Sequence, residues 1–302
     1  MAYIPICNDP KLSSINTFSF PFPYYIDVLM ARILVEVCVD SVESAMNAVR
    51  GGAHRLELCG NLGLGGGTTP SLGLLKEVRK AIESFKVPLM VMIRPRTGDF
   101  LYSESEMQVM LEDIRIFKEN GVVGFVFGVL TGEGRVDVAR TQSLINASLP
   151  GQVCFHRAFD MTRDANEAIS DIGRMHGVSR ILTSGQGKSV SGSLEVLASL
   201  LGTTQNGSSG PIIMPGSGIS PDTIGHVLDI LLPLGLSEIH LSAGNWMEGG
   251  MSFRREGMGM GVGGKGDWGS WKTNERIVGE VIALSNSRVL EVWALKTRLL
   301  ME

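Results

Sequence analysis

Two short segments repeat the same chemistry 21 residues apart. Val35-Glu36-Val37-Cys38 and Leu56-Glu57-Leu58-Cys59 each place a carboxylate two positions before a thiol, with apolar residues between. Alternate residues of a strand share a face, so each Glu lies with its Cys while the flanking Val and Leu face the other way. Two thiols on neighbouring strands, about 4.8 Å apart, admit three readings. A thiolate pair suits a soft monovalent ion such as Cu(I), which proteins select by ligand softness. The same cysteines read equally as two small side chains filling a tapered barrel, since free Cys is among the most buried residue types. A disulfide is the third reading, and a reducing compartment disfavours it. Tetrahedral zinc is weaker still, because no CxxC or HxxxH spacing is present.

A second set of side chains suits anions and proton transfer. Ile93-Arg94-Pro95-Arg96-Thr97-Gly98-Asp99 carries two guanidinium groups two residues apart, and arginine is the side chain for planar recognition of carboxylate or phosphate. The alternative is that Arg94 and Arg96 neutralise Glu36 and Glu57. Phe155-His156-Arg157-Ala158-Phe159-Asp160 sets a histidine beside a third arginine, and His240 and Ser242 alternate further on. Glu57 and His156 are the candidates for acid and base work. Pro215-Gly216-Ser217-Gly218-Ile219-Ser220-Pro221 is a glycine-rich turn ahead of a helix, where backbone N–H groups commonly hold phosphate. Ser220 fits the N-cap and Pro221 the first helical position. An anion site of Arg94, Arg96, Arg157, Gly216, Ser217, Gly218 and Ser242 is the expectation, with a plain tight turn as the alternative. Met258-Gly259-Met260 resembles a thioether copper motif, although such methionines more often make adaptable lid contacts.

The elements that must position these residues follow from hydrophobic periodicity. Short β-branched runs fall at 34–39, 55–59, 88–93, 124–130, 152–156, 180–183, 211–214 and 238–241. Amphipathic helical patterns lie between them, beginning at Ser41, Ser71, Ser103, Asp137, Asp164, Ser193 and Pro221, with an eighth from Thr273 to Leu284. Eight strands each followed by a helix, over roughly 250 residues, define a TIM-like (β/α)8 barrel, whose active site lies at the C-terminal ends of its strands. A doubly wound open sheet would carry a GxGxxG or a P-loop in its first turn, and Asp40-Ser41-Val42 has neither. The expected organisation is a single barrel domain over 30–290, an N-terminal extension over 1–29 that is disordered, and a C-terminal tail over 291–302. Gly249 to Gly269 holds nine glycines in 21 residues and reads as a flexible loop on the functional rim.

Composition narrows the function classes. The chain has 302 residues, 44% hydrophobic and 19% charged, which excludes a disordered or coiled-coil chain. Its 38 glycines exceed the usual share of about 7% and imply many tight turns. A net charge of −4 without a basic stripe argues against nucleic acid as a partner. No apolar run reaches the ~18 residues that a membrane span requires, and the N-terminus lacks the pattern of a secretory signal. Four cysteines are too few for a disulfide scaffold. The expectation is a cytosolic protein with reduced thiols.

Several motifs together resemble one family. They are Glu-Val-Cys-Val-Asp-Ser-Val-Glu-Ser-Ala from Glu36, Arg-Leu-Glu-Leu-Cys from Arg55, Thr-Pro-Ser-Leu-Gly from Thr69 and Ile-Arg-Pro-Arg-Thr-Gly-Asp-Phe from Ile93. Phe-His-Arg-Ala-Phe-Asp from Phe155, Leu-Thr-Ser-Gly-Gln from Leu182 and Ile-Ile-Met-Pro-Gly-Ser-Gly-Ile from Ile212 belong with them. The pattern is similar to the CutC copper homeostasis family from about Leu34 to the final helix. Residues 1–29, and those beyond about Arg288, lie outside the similarity. The resemblance implies a TIM-like barrel, a cytoplasmic and sometimes nuclear location, and a homodimer or homotetramer. It also implies copper handling through bound Cu(I), with Cys38 and Cys59 as the metal site. A copper homeostasis protein binding Cu(I) through paired cysteines is therefore the expected function. The alternative is a TIM-barrel enzyme acting on a phosphorylated or carboxylated small molecule.

Overall fold

The computed structural model describes residues 32–205 and 210–301. The extension expected over 1–29 lies outside them. Eight parallel strands form one sheet: β1 (Leu34–Val39), β2 (Arg55–Leu58), β3 (Leu89–Met92), β4 (Gly124–Phe127), β5 (Gln152–Phe155), β6 (Val178–Thr183), β7 (Ile212–Pro215) and β8 (Glu238–Leu241). Their order is β7-β6-β5-β4-β3-β2-β1-β8. The two strands at the ends of that order meet through a parallel bridge between Gly216 and His240, so the sheet is a nearly closed barrel. A Cβ on Gly216 would lie 2.6 Å from Leu182 Cδ1 and 3.1 Å from His240 Cβ. Only glycine lets the seam close this tightly.

Helices follow the strands as the alternating pattern requires: α1 (Val42–Arg50), α2 (Leu72–Ile82), α3 (Glu104–Glu119), α4 (Val138–Ser148), α5 (Ala165–Gly173), α6 (Leu194–Gln205), α7 (Pro221–Leu231) and α8 (Glu275–Met301). Five begin one residue after the Ser or Asp expected to open them, because that residue is the N-cap. Ser41, Ser71, Ser103, Asp137 and Asp164 each accept a hydrogen bond from the backbone N–H three residues on. Ser103 and Glu106 satisfy each other's backbone donors in a capping box, an arrangement worth about 1 kcal/mol.

Strand alternation sorts side chains into two cores. Val35, Val37 and Val39 of β1, Leu56 and Leu58 of β2, and Phe125 and Phe127 of β4 pack with helix residues such as Leu75, Ile114, Leu144 and Leu228. The other face supplies a small separate cluster inside the barrel: Met90, Val126, Cys154, Leu182 and Met214. The expectation that apolar β1 and β2 residues face the helices is correct. Each fully buried Val, Leu or Phe of that shell contributes about 1.5–3 kcal/mol.

After β8 the chain forms an antiparallel hairpin, β9 (Gly244–Met247) with β10 (Ser270–Thr273), which the sequence pattern does not predict. The glycine-rich loop lies between its strands, and Trp246 and Trp271 meet edge to face at 5.6 Å across the pair. Next, α8 packs against α7 and α1. It continues well past Leu284, so the backbone of 291–301, expected as a tail, is helical. No described helix is long and apolar enough to cross a membrane.

Candidate functional site

The register between β1 and β2 decides which side chains meet. Glu36 pairs with Arg55 and Cys38 with Glu57, a stagger of 19 residues, whereas the two Glu-x-Cys segments are 21 apart in the sequence. Like residues are therefore displaced by one strand repeat along the barrel axis, the stagger that closing a barrel imposes. Cys38 lies beside Glu57 and not beside Cys59. The register therefore sets the two thiols on a diagonal rather than directly side by side, as expected from the repeat: the Cys59 Sγ donates to the Val39 carbonyl at 3.6 Å, as the Cys38 Sγ does to the Leu241 carbonyl at 3.6 Å, and Cys38 stays near enough to act on the Cys59 thiol. Burial pushes the Cys59 thiol well up.

Cys38, Glu57 and His240 instead converge, each offering a ligand atom within 4.8 Å of the others. His240 is the hinge of this group. Its Nδ1 meets Glu36 Oε1 at 2.8 Å and its Nε2 lies 3.6 Å from Glu57 Oε2. Glu36 is fixed from below by Arg55, which also pairs with Glu238. Arg180 reaches the same Glu238 at 3.1 Å. This buried Glu36-Arg55-Glu238-Arg180 network replaces the expected neutralisation by Arg94 and Arg96.

The network drives the proton affinities of two neighbouring carboxyls apart. Burial works against a charge on Glu36, but His240 and Arg55 more than offset it and hold its pKa at about 2. At Glu57 burial wins: it raises the pKa, His240 and Arg55 pull back without a hydrogen bond, Glu36 pushes further up, and the result is about 7. Its Oε1 is buried without a partner. Burial disfavours imidazolium at His240, yet Cys38, Glu36 and Glu57 favour it and its pKa rises well above the ordinary value. Burial pushes the Cys38 thiol up, against the pull of His240.

These residues open onto a cavity of about 1190 Å³ at the C-terminal ends of the strands, lined also by Arg94, His156, Arg157, Ser217, Gly218 and Ser242. His156 closes β5. Its Nδ1 accepts from the Ala158 N–H at 3.2 Å, its Nε2 has no partner, and burial with the nearby Arg94 charge lowers its pKa to about 3. Arg94 hangs from three carbonyls, Gly65 at 2.7 Å, Gly67 at 2.8 Å and Gly98 at 3.2 Å.

Two other expected anion ligands are committed elsewhere. Arg96 is turned out of the cavity, with Glu106 at 2.6 Å and Asp99 at 3.0 Å as partners, because Pro95 and the following turn redirect the chain. Arg157 lines the rim with its charge matched by Asp160 at 2.8 Å. Asp160 in turn accepts from Thr183, Ser184 and Gln186, so the Phe-His-Arg-Ala-Phe-Asp and Leu-Thr-Ser-Gly-Gln motifs lock to each other. Ser217 has a left-handed φ of 88° and donates its hydroxyl to the Lys188 carbonyl at 3.1 Å. Met258 and Met260 are exposed on the glycine-rich loop and do not line the cavity.

The sequence alone sets His240 on a strand but gives no sign that it meets Cys38 and Glu57, or that Arg55, Arg180 and Glu238 lie in a network with Glu36. The signal was available in part. The alternation that selects Glu57 also selects Arg55, and the alternation that selects Ser242 also selects His240 and Glu238.

A TIM-like barrel whose strand ends converge a thiol, a carboxyl and a carboxylate-oriented imidazole defines the class: a barrel with a polar mouth able to take a metal ion. Comparisons with known proteins narrow it. The CutC family model matches residues 33–245. A mouse copper homeostasis protein cutC homolog is 44% identical over 229 residues, 76% of this chain and 80% of that one. The human homolog is 43% identical with the same coverage, and a CutC family protein of Klebsiella pneumoniae is 41% identical over 75% of this chain and 87% of its own. The crystal structure of the copper homeostasis protein CutC from Streptococcus agalactiae superposes with a TM-score of 0.63 at 28% identity, covering 70% of this chain and 98% of that one. The chain belongs to the CutC copper homeostasis family.

Proposed function

We propose that the protein serves copper homeostasis by binding Cu(I) at the barrel mouth between Cys38 Sγ and His240 Nε2, with Glu57 as a third donor. The supporting observation is the convergence of these three side chains, with Glu36 holding the far nitrogen of His240. A carboxylate on the second ring nitrogen is the usual device for orienting a metal-binding histidine. Thiolate and imidazole both suit Cu(I), and the harder carboxyl oxygen is the weakest of the three donors. Cys59 is not among the side chains that meet within 4.8 Å of one another, although its Sγ, like that of Cys38, donates to a backbone carbonyl. Cu(I) on a free thiol requires a reducing compartment, which supports a cytoplasmic location. Association into a homodimer or homotetramer belongs to the same reading and is measured by light scattering.

X-ray absorption of the Cu(I)-loaded protein tests the donor set. One sulfur together with imidazole scattering is expected, whereas two sulfurs without imidazole would overturn it.

A further inference from the structure

The cavity has a second group of polar side chains, from β3 and β5. In the ring of eight strands β5 stands opposite β1, away from Cys38. His156 and Arg94 are 3% and 7% exposed. Because His156 Nδ1 accepts a backbone hydrogen bond, the proton of the neutral ring sits on Nε2. That donor is buried and unpartnered, a state that costs stability until an acceptor meets it. The groups around Arg94 are neutral: it donates to three carbonyls, and the Tyr102 hydroxyl lies near it. Its Nε has no partner, and among the described residues no carboxylate pairs with it. A buried guanidinium without a counter-charge is costly. Both groups pack on one ring: Phe100 lies 5.0 Å from the His156 centroid and 5.0 Å from the Arg94 guanidinium carbon.

The size of the cavity points the same way. A metal ion needs only the space between donors within 4.8 Å of one another, whereas about 1190 Å³ exceeds the 300–1,000 Å³ typical of sites for whole organic ligands.

We propose that the cavity binds a small organic oxyanion, a carboxylate or a phosphate ester, whose charged group is held by the Arg94 guanidinium and the His156 Nε2–H. Neither side chain is one of the proposed copper donors, although all of them line the same cavity, and the proposal stands whether or not copper binds. A neutral His156 keeps its donor proton throughout the physiological range, so the recognition is of charge and hydrogen bonding and involves no transfer of that proton.

Calorimetric titration of the full chain with inorganic phosphate and, separately, with malonate tests the proposal. Saturable binding at millimolar concentration or tighter is expected for at least one. Phosphate alone identifies a phosphate ester as the ligand class, malonate alone a carboxylate, and both an oxyanion site without discrimination. His156→Leu and Arg94→Met are each expected to weaken binding at least tenfold. Absence of binding by either probe at about 10 mM, a range that detects Kd near 1 mM, or unchanged affinity in both variants, would overturn it. Should either variant fail to fold, the ¹⁵N ring resonances of His156 in the unmodified protein decide. They shift saturably with the bound probe if the site is correct and stay fixed if it is not.

Discussion

Glu36 and Glu57 are equally buried, yet their partners drive them apart. Glu36, held at about 2 by His240 and Arg55, stabilises the fold fully above its unfolded value near 4.5, and that contribution is lost as pH falls through 2. Glu57, raised to about 7, does the opposite. The native state keeps a proton that the unfolded chain releases near 4.5, so the contribution is present below 4.5 and is lost as pH rises through 7, by about 3 kcal/mol. Glu57→Gln should therefore gain stability relative to the parent between pH 5 and pH 8, read from urea denaturation at both. An unchanged difference between the two proteins would contradict the assignment. His240 and Cys38 are both shifted up, so Cu(I) at the proposed site would displace protons on binding. Apparent Cu(I) affinity should rise between pH 6 and pH 8, by up to tenfold per unit for each proton displaced, as competition with a Cu(I) chelator would report.

Individual elements were legible to different degrees. The strands β1 and β8 match their expected limits, and the capping Ser and Asp residues mark five helix starts within one position, because caps and apolar periodicity are local properties. Ser103→Ala should cost about 1 kcal/mol of stability in thermal denaturation. The β9–β10 hairpin was not legible, since Gly244 to Met247 and Ser270 to Thr273 have little alternation and pair across a long glycine-rich insertion. Stagger was not legible either. Nothing local to β1 or β2 says that Cys38 is in register with Glu57, and the repeated segment points to Cys59 instead. One turn glycine does have a readable consequence once the fold is known. A Cβ on Gly128 would lie 2.8 Å from His156 Nδ1 and 2.9 Å from Ala158 Cβ. Gly128→Ala should displace the imidazole and destabilise by about 1–3 kcal/mol, while Gly132→Ala, whose nearest neighbour is 3.9 Å away, should be close to neutral. Equal effects in thermal denaturation would contradict this placement of His156.

At the scale of the whole molecule, an apolar shell between strands and helices leaves the barrel interior free to carry charge. The interior holds the Glu36, Arg55, Glu238 and Arg180 network, the apolar cluster of Met90, Cys154 and Met214, and the mouth onto which Cys38, Glu57 and His240 open. Eightfold alternation made the barrel legible, whereas the ion network required knowing that β1 closes against β8 and that β2 is staggered beside it. The exposed Met258 and Met260 do not line the mouth. Replacing both with Ser should leave Cu(I) stoichiometry unchanged, and a loss of bound copper would assign the glycine-rich loop a role in binding. The most direct measurement is Cu(I) bound per chain, under anaerobic conditions, in Cys38→Ser and Cys59→Ser separately. A mouth built on Cys38 and His240 predicts that Cys38→Ser loses the ion and that Cys59→Ser retains it; equal loss in both would restore the paired-cysteine site and contradict the geometry described above.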